Sequence, residues 1–335
     1  MKDKHLNDNL TLGRTSGPYS VAFTVTGKCN YKCKHCYNNS GDDFYNDVSD
    51  EQLLKITDQI CELRPISVCL CGGEPLIRGD VIYTIIKKLS SCCGIVNIVS
   101  NGSLINNIVL DKLKACGINT IQISLDGDTP FLHDNLRMRS GAFNHAIEAI
   151  RLSATKGFRV AVSCCPSKLN KLAIKRTCKL VKLMGANEFR LMPLILMGRG
   201  ENLSSLKLNA DEYLTLQQEL EKLKRQYNDS KFSVSWGDPL DHLFRMPHNA
   251  KIGMSTYSME IRNDGKLTVS TYLPIIVGDL NKHTLKEYWD AGYNTIWGNE
   301  NVIKYIKSIS STSQFNNFIP KPYQGKDIEI QLIKE

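Results

Sequence analysis

Six short runs rich in β-branched and apolar residues recur through the first 192 residues: Ser20–Thr26, Ile66–Cys71, Ile95–Ser100, Asn119–Leu125, Phe158–Cys164 and Glu188–Met192. Between them lie segments of helical length whose apolar spacing is near 3.6: Glu51–Leu63, Val81–Leu89, Ile108–Ala115, Phe143–Lys156 and Ala173–Met184. Strands alternating with helices leave few topologies, because parallel strands must be joined by right-handed crossovers. The runs read as continuously apolar, which predicts a sheet covered on both faces. An open six-strand barrel and a doubly wound sheet both satisfy this cadence. Both place the functional loops at the C-terminal ends of the strands. Local signals agree with the element boundaries: Ser49 with Gln52 reads as a capping box, and Gly117, Gly157 and Gly185 each follow a helix.

Past Met192 the pattern changes. A glycine-containing loop (LMGRGENL) precedes a charged helix from about Ala210 to Tyr227, with Asn209 as N-cap. Tyr257–Arg262 and Lys266–Thr271 flank an Asn-Asp-Gly turn and predict a β-hairpin, followed by a short amphipathic helix from Leu285. The expected organisation is an N-terminal extension over 1–18, a core over 19–230, a small module over 231–310 and a loosely held tail over 311–335.

Composition narrows the class. The chain has 335 residues, an ordinary apolar fraction of 42% and a net charge of +8 carried by dispersed lysines. No apolar stretch reaches the ~18 residues of a membrane span, and no basic block suggests nucleic-acid binding. The 12 cysteines, with none after Cys178, follow a polar N-terminus without a secretory signal. A reducing compartment, the cytoplasm, is expected, and a disulfide framework is not.

Three of those cysteines, Cys29, Cys33 and Cys36, form a C-x3-C-x2-C set directly after the first strand run. Together with His35 they fit a closed Cys3His zinc site. They equally fit an iron–sulfur cubane, which normally takes four thiolates and would here keep one iron open. Other motif residues fall where later strands end: Cys71-Gly72-Gly73-Glu74-Pro75, Ser100-Asn101-Gly102 and Ser124-Leu125-Asp126-Gly127. Each alone is a common turn. Four in order on one face of a βα array form a constellation.

With these motifs and the segment HDNLRMRSGAF, residues 18–300 resemble the radical S-adenosylmethionine (SAM) superfamily, in the branch with a C-terminal SPASM or twitch module. The resemblance implies an α/β fold, a partial (β/α)6 TIM-like barrel with a small hairpin-plus-helix module. It implies one [4Fe–4S] cluster ligated by Cys29, Cys33 and Cys36, and cleavage of SAM to a 5′-deoxyadenosyl radical. It also implies SAM contacts: His35 near the adenine, Gly72, Gly73 and Glu74 at the amino group, Ser100, Asn101, Ser124 and Asp126 at the ribose, and Arg137 at the carboxylate. His133 and Asp134 read as braces for that segment, and Cys71 as a small core residue.

The sequence departs from the family pattern in the last module, where Ser270 stands at an expected cysteine position. A module without cysteines has no auxiliary cluster, which favours redox-neutral chemistry such as epimerisation. That reaction needs a second hydrogen donor, and Cys164 and Cys165 at the end of the fifth strand run are the candidates, with Tyr257 and Tyr272 behind them. The expected substrate is a ribosomally made peptide, with a small molecule (nucleoside, aminoglycoside or tetrapyrrole) as the alternative. Implied partners are an electron donor such as flavodoxin or ferredoxin and, for a peptide, a separate leader-binding protein.

Overall fold

The computed structural model describes residues 15–41, 46–237, 241–308 and 327–334. The six strand runs form β1 (Ser20–Thr26), β2 (Ser67–Gly72), β3 (Ile95–Ser100), β4 (Thr120–Ser124), β5 (Arg159–Cys164) and β6 (Glu188–Leu191). The crossovers carry α1 (Asp50–Leu63), α2 (Asp80–Cys92), α3 (Asn107–Cys116), α4 (Pro130–Arg137), α5 (Ala142–Thr155) and α6 (Ile174–Leu183). All six strands are parallel and neighbour one another in chain order. The result is the expected α/β fold, a partial TIM-like barrel.

A charged helix, α7 (Ala210–Tyr227), follows with a full capping box between Asn209 and Glu212. It leads into β7 (Ser233–Trp236), a short alternating strand that adds in parallel to β6. The next helix, α8 (Asp241–Lys251), carries Pro247 inside it. The hairpin forms as β8 (Ser258–Ile261) and β9 (Lys266–Thr268), but it does not stand apart from the barrel. β8 joins the free edge of β1 in parallel, and β10 (Ile275–Asp279) and β11 (Ile328–Glu329) extend the same sheet. Helix α9 (Leu285–Asp290) packs on α1, and α10 (Glu300–Lys307) on α8. Of the tail expected over 311–335, residues 311–326 and 335 lie outside the described residues, while Asp327 pairs with Arg262 at 2.6 Å. No helix among the described residues is long and apolar enough to cross a membrane.

The expectation of a sheet covered on both faces is corrected by the strand burial. Val21, Phe23, Val25, Val68, Leu70, Val96, Ile98, Ile121, Ile123, Val160 and Val162 point at the helices and are buried. Their alternates, Ala22, Thr24, Cys69, Cys71, Asn97, Gln122 and Ser163, face the concave side and are mostly half-buried. Curving the sheet gives its inner face a chamber rather than a second packed layer, so small and polar residues are tolerated there. A second correction concerns the thiols. Cys61 and Cys92, at the last turns of the adjacent helices α1 and α2, are joined as a disulfide with Cα atoms 5.4 Å apart.

The hairpin is tied to the mouth of the barrel through Asp47. Its carboxylate accepts from Thr26 Oγ1 at 2.5 Å, Gly27 N at 2.8 Å and Asn263 Nδ2 at 2.6 Å. Gln52, the second half of the expected capping box, turns its amide away to Leu280 O while its backbone N–H bonds Ser49 Oγ. Asp47→Ala strands three donors on two segments, the end of β1 and the hairpin turn, and is expected to cost about 2–3 kcal/mol in urea unfolding. A loss below about 0.5 kcal/mol would show that the hairpin is held by apolar packing alone.

Candidate active site

The loop leaving β1 carries Cys29, Cys33 and Cys36, with Cys33 buried and the other two half-buried. Every one of these sulfurs has an N–H directed at it. Cys29 Sγ accepts from Tyr31 N at 3.4 Å and Asn101 Nδ2 at 3.8 Å, Cys33 Sγ from Arg137 Nη1 at 3.9 Å, and Cys36 Sγ from Ser40 N at 3.3 Å. Donors of this kind stabilise negative sulfur and tune the potential of an iron–sulfur group. As bare thiols, Cys29 and Cys33 are disfavoured as anions: burial raises both, Cys29 to about 12.

The Gly72-Gly73-Glu74 end of β2 lies directly under this loop. Gly73 N donates to Thr26 O and Glu74 N to Lys28 O, each at 2.9 Å. A Cβ at Gly73 would stand 2.1 Å from Lys28 O and 3.0 Å from Cys29 Cβ, so only glycine permits the approach. The Glu74 side chain is fully buried. Its oxygens accept from Ser100 Oγ at 3.1 Å, Asn101 N at 2.8 Å and Leu76 N at 3.3 Å. Glu74 therefore joins the ends of β2 and β3. Burial raises it to about 7 against those hydrogen bonds.

Asp126, at the end of β4, is the corresponding hub on the other side. It is fully buried, and its carboxylate accepts from Arg137 Nε at 2.7 Å and Cys165 N at 2.9 Å, with His35 Nε2 3.6 Å away. Burial would raise it, but Arg137, then His35 and His133, hold it well below the usual carboxylate range. The expected ribose ligand is thus committed to protein partners and serves as a brace. Ser100, Asn101 and Ser124 sit at strand ends with little exposure, and Asn101 Nδ2 also donates to Asn30 Oδ1 at 2.9 Å. His133 and Asp134 brace as expected: Asp126 N donates to His133 Nδ1 at 3.0 Å, while Asp134 accepts from Gly141 N and Phe143 N.

The expected donors separate. Cys164 has the parity of Val160 and Val162, so it turns into the helix layer and is 1% exposed. It does not reach the barrel mouth, contrary to the sequence expectation. Cys165, one residue on, is half-buried beside the Asp126 clasp, and Asn170 Nδ2 holds its carbonyl at 2.9 Å. Tyr257 precedes β8 and stacks on Tyr19 at the N-terminal end of the strands, away from the cysteine loop. Tyr272 packs near Tyr37 and His242, and His242 Nε2 lies 2.9 Å from Ser270 Oγ, the position expected to hold a cysteine. Cys71 is no core residue: it faces the chamber 3.6 Å from Thr24 Oγ1, and Cys69 shares its face. The signal was the alternation Cys69-Leu70-Cys71 itself.

These residues fit a multi-iron group better than a zinc ion. His35, the fourth ligand in the zinc alternative, directs Nε2 at Asp126 and leaves Nδ1 buried without a protein partner, so the choice rests on how the donors are spaced. Among the described residues no three His, Cys, Asp or Glu groups converge on a point for a single ion. Three thiols with directed donors instead suit a cluster wide enough to span them.

Residues 23–181 match the Radical SAM superfamily model, and the chain carries that domain. It is 26% identical over 301 residues to the AdoMet-dependent heme synthase of Methanosarcina barkeri (strain Fusaro / DSM 804), covering 83% of this chain and 84% of the relative. It is also 28% identical over 200 residues to the subtilosin biosynthesis protein AlbA of Bacillus subtilis (strain 168), covering 58% of this chain and 44% of AlbA. The chain spans about half the length of several other curated relatives, from 44% to 53%. In fold, it superposes on Streptococcus suis SuiB bound to its precursor peptide SuiA with a TM-score of 0.71 at 15% identity, covering 95% of this chain and 78% of SuiB.

One consequence is a pH dependence. Burial, with Arg137 adding to it, lowers His133 from 6.5 to about 4. The unfolded chain therefore binds a proton that the folded chain refuses between those values, so stability is full above 6.5 and falls as the pH drops through the window. The loss reaches up to about 3 kcal/mol near pH 4. His133→Gln is expected to flatten this slope by about one proton in urea unfolding between pH 7 and 4; an unchanged slope would contradict the assignment.

Proposed function

From the premise that the chain is a radical SAM enzyme, we propose that it modifies a peptide without net oxidation, by epimerisation of a residue held in the barrel chamber. Bound to Cys29, Cys33 and Cys36, a [4Fe–4S] cluster with SAM supplies a 5′-deoxyadenosyl radical that removes a hydrogen atom from the substrate. The chain's own residues do the rest. The three cysteines hold the cluster, and their N–H donors stabilise it. Arg137, fixed at Nε by Asp126, offers its outer edge beside Cys33 to the SAM carboxylate. Backbone at Gly72 and Gly73 meets the SAM amino group and Ser124 faces its ribose, while Glu74, holding Ser100 Oγ and Asn101 N, fixes that edge from behind.

The observation that carries this reading is the chamber lining: small polar residues and thiols, with Glu260 in register with Ala22 and Ala22 with Cys69. Such a surface, with Glu260 and Arg190 both acting on Cys69 and Tyr272, offers paired polar groups of the kind that suit a peptide backbone. Cys165 is the proposed donor. Burial pushes its thiol well above its usual value, so it remains S–H, the form that gives a hydrogen atom. The substrate carbon radical takes that hydrogen, leaving a sulfur radical. An electron from a carrier of the flavodoxin or ferredoxin class and a proton from solvent restore the thiol. A SPASM-like role for β8–β10 as a substrate wall, without auxiliary clusters, belongs to the same proposal. A second reading, tetrapyrrole chemistry, is favoured by the long match to a heme synthase.

The test is anaerobic turnover with SAM and dithionite in deuterated water, comparing short peptides encoded beside the gene with an iron porphyrin bearing propionates. The expected result is one deuterium at a peptide α-carbon and 5′-deoxyadenosine in equal amount. Cys165→Ala should abolish labelled product yet still cleave SAM, and Cys164→Ala should behave as wild type. Consumption of the porphyrin alone would decide for the second reading.

A further inference from the structure

The segment after β6 returns across the cysteine loop, and sequence alone reads it only as a glycine-containing connection. Gly198 has φ +58, and a Cβ there would stand 2.5 Å from the carbonyl oxygens of both Cys36 and Tyr37. Only glycine allows two backbones to lie this close. The contact brings Arg199 onto the turn that bears two of the three sulfurs. Arg199 N donates to Cys36 O at 3.0 Å, and its Nε donates to Cys33 O at 2.8 Å. Its Nη1 donates to Asn39 Oδ1 at 3.1 Å. The turn is closed by Cys36 N donating to Cys33 O at 3.3 Å, so a single residue holds the carbonyls at both of its ends.

The fourth donor is different. Arg199 Nη2 is buried and has no partner in the protein. A buried guanidinium N–H is normally paired, and its isolation here marks an acceptor that the protein does not supply. Arg137 approaches Cys33 from the sulfur side, at 3.9 Å, so two guanidinium groups flank one ligand. Lysine could supply the charge at position 199 but not a planar fork reaching two acceptors.

We infer that Arg199 is a positioning residue of the cluster: it fixes the Cys33–Cys36 turn in ligating geometry, and its charge stabilises the more negative, reduced state of the group held there. This rests on the cluster reading above. Arg199 acts through the backbone of the ligands and through its field, not by touching substrate. A positive charge near an iron–sulfur group raises its reduction potential. The leftover Nη2–H is available to an acceptor on the bound group.

The test uses the full chain, reconstituted anaerobically with iron and sulfide, without substrate. Iron retained during an EDTA challenge and the midpoint potential followed by EPR are measured for wild type, Arg199→Gln and Arg199→Lys. Arg199→Gln is expected to lose iron several-fold faster and to shift to a more negative potential. Arg199→Lys should recover most of the potential but not the retention, because it restores charge without the fork. Wild-type values for either quantity in Arg199→Gln overturn the inference. If the far-UV spectrum shows that Arg199→Gln does not fold, Arg199→Lys decides, and iron retention equal to wild type overturns it. Failure of the wild-type chain to take up iron is a separate outcome, which sinks the cluster reading itself.

Discussion

The buried Asp126–Arg137 pair is the interaction on which the mouth of this barrel depends. Two charges taken from water are stable together only when their remaining hydrogen-bonding capacity is met. Here it is met by parts that would otherwise be independent. Asp126 belongs to the end of β4, Arg137 to the end of α4, and the second carboxylate oxygen receives the backbone N–H of Cys165 beyond β5. Arg137 then reaches Cys33, and His35 completes the ring from within the cysteine loop. Removing either partner would leave an uncompensated charge in the interior, so the loop, two strand ends and one helix share a single electrostatic fate.

A similar logic governs the other half of the mouth. Glu74 spends its carboxylate on Ser100, Asn101 and Leu76, and the main chain beside it takes the weight of the cysteine loop. Residues that resemble cofactor ligands in sequence are thus divided between those that hold the rim and those that face the chamber. Glu74 and Asp126 hold; the backbone at Gly72–Gly73 and the outer edge of Arg137 are the parts proposed to meet SAM. An arrangement in which charged groups are buried and paired before any ligand arrives costs no reorganisation when the ligand binds.

Much of this was legible in the sequence, because period and punctuation report local structure directly. The strand runs from Ser20 to Leu191 formed within a residue or two, α7 formed over its expected span, and the Asn-Asp-Gly turn made its hairpin. What was not legible depended on long-range placement. The side on which Cys164 falls is fixed by the register of β5 against β4 and β6, and a one-residue difference exchanges helix layer for chamber. β7 is a strand of only four residues whose partner β6 lies far upstream, so local pattern alone carried too little signal. The role of Arg199 was hidden for the same reason: its partners precede it by some 160 residues.

No cysteine follows Cys178, so on this account every electron enters and leaves the protein by way of one cluster at Cys29, Cys33 and Cys36. Iron and acid-labile sulfide, determined with Mössbauer spectra on the anaerobically reconstituted chain, test that claim most directly. The account predicts about four iron atoms per chain in a single cubane, reduced to background when all three cysteines are replaced by alanine. About eight irons, iron retained in the triple variant, or stoichiometric zinc in place of iron would contradict it.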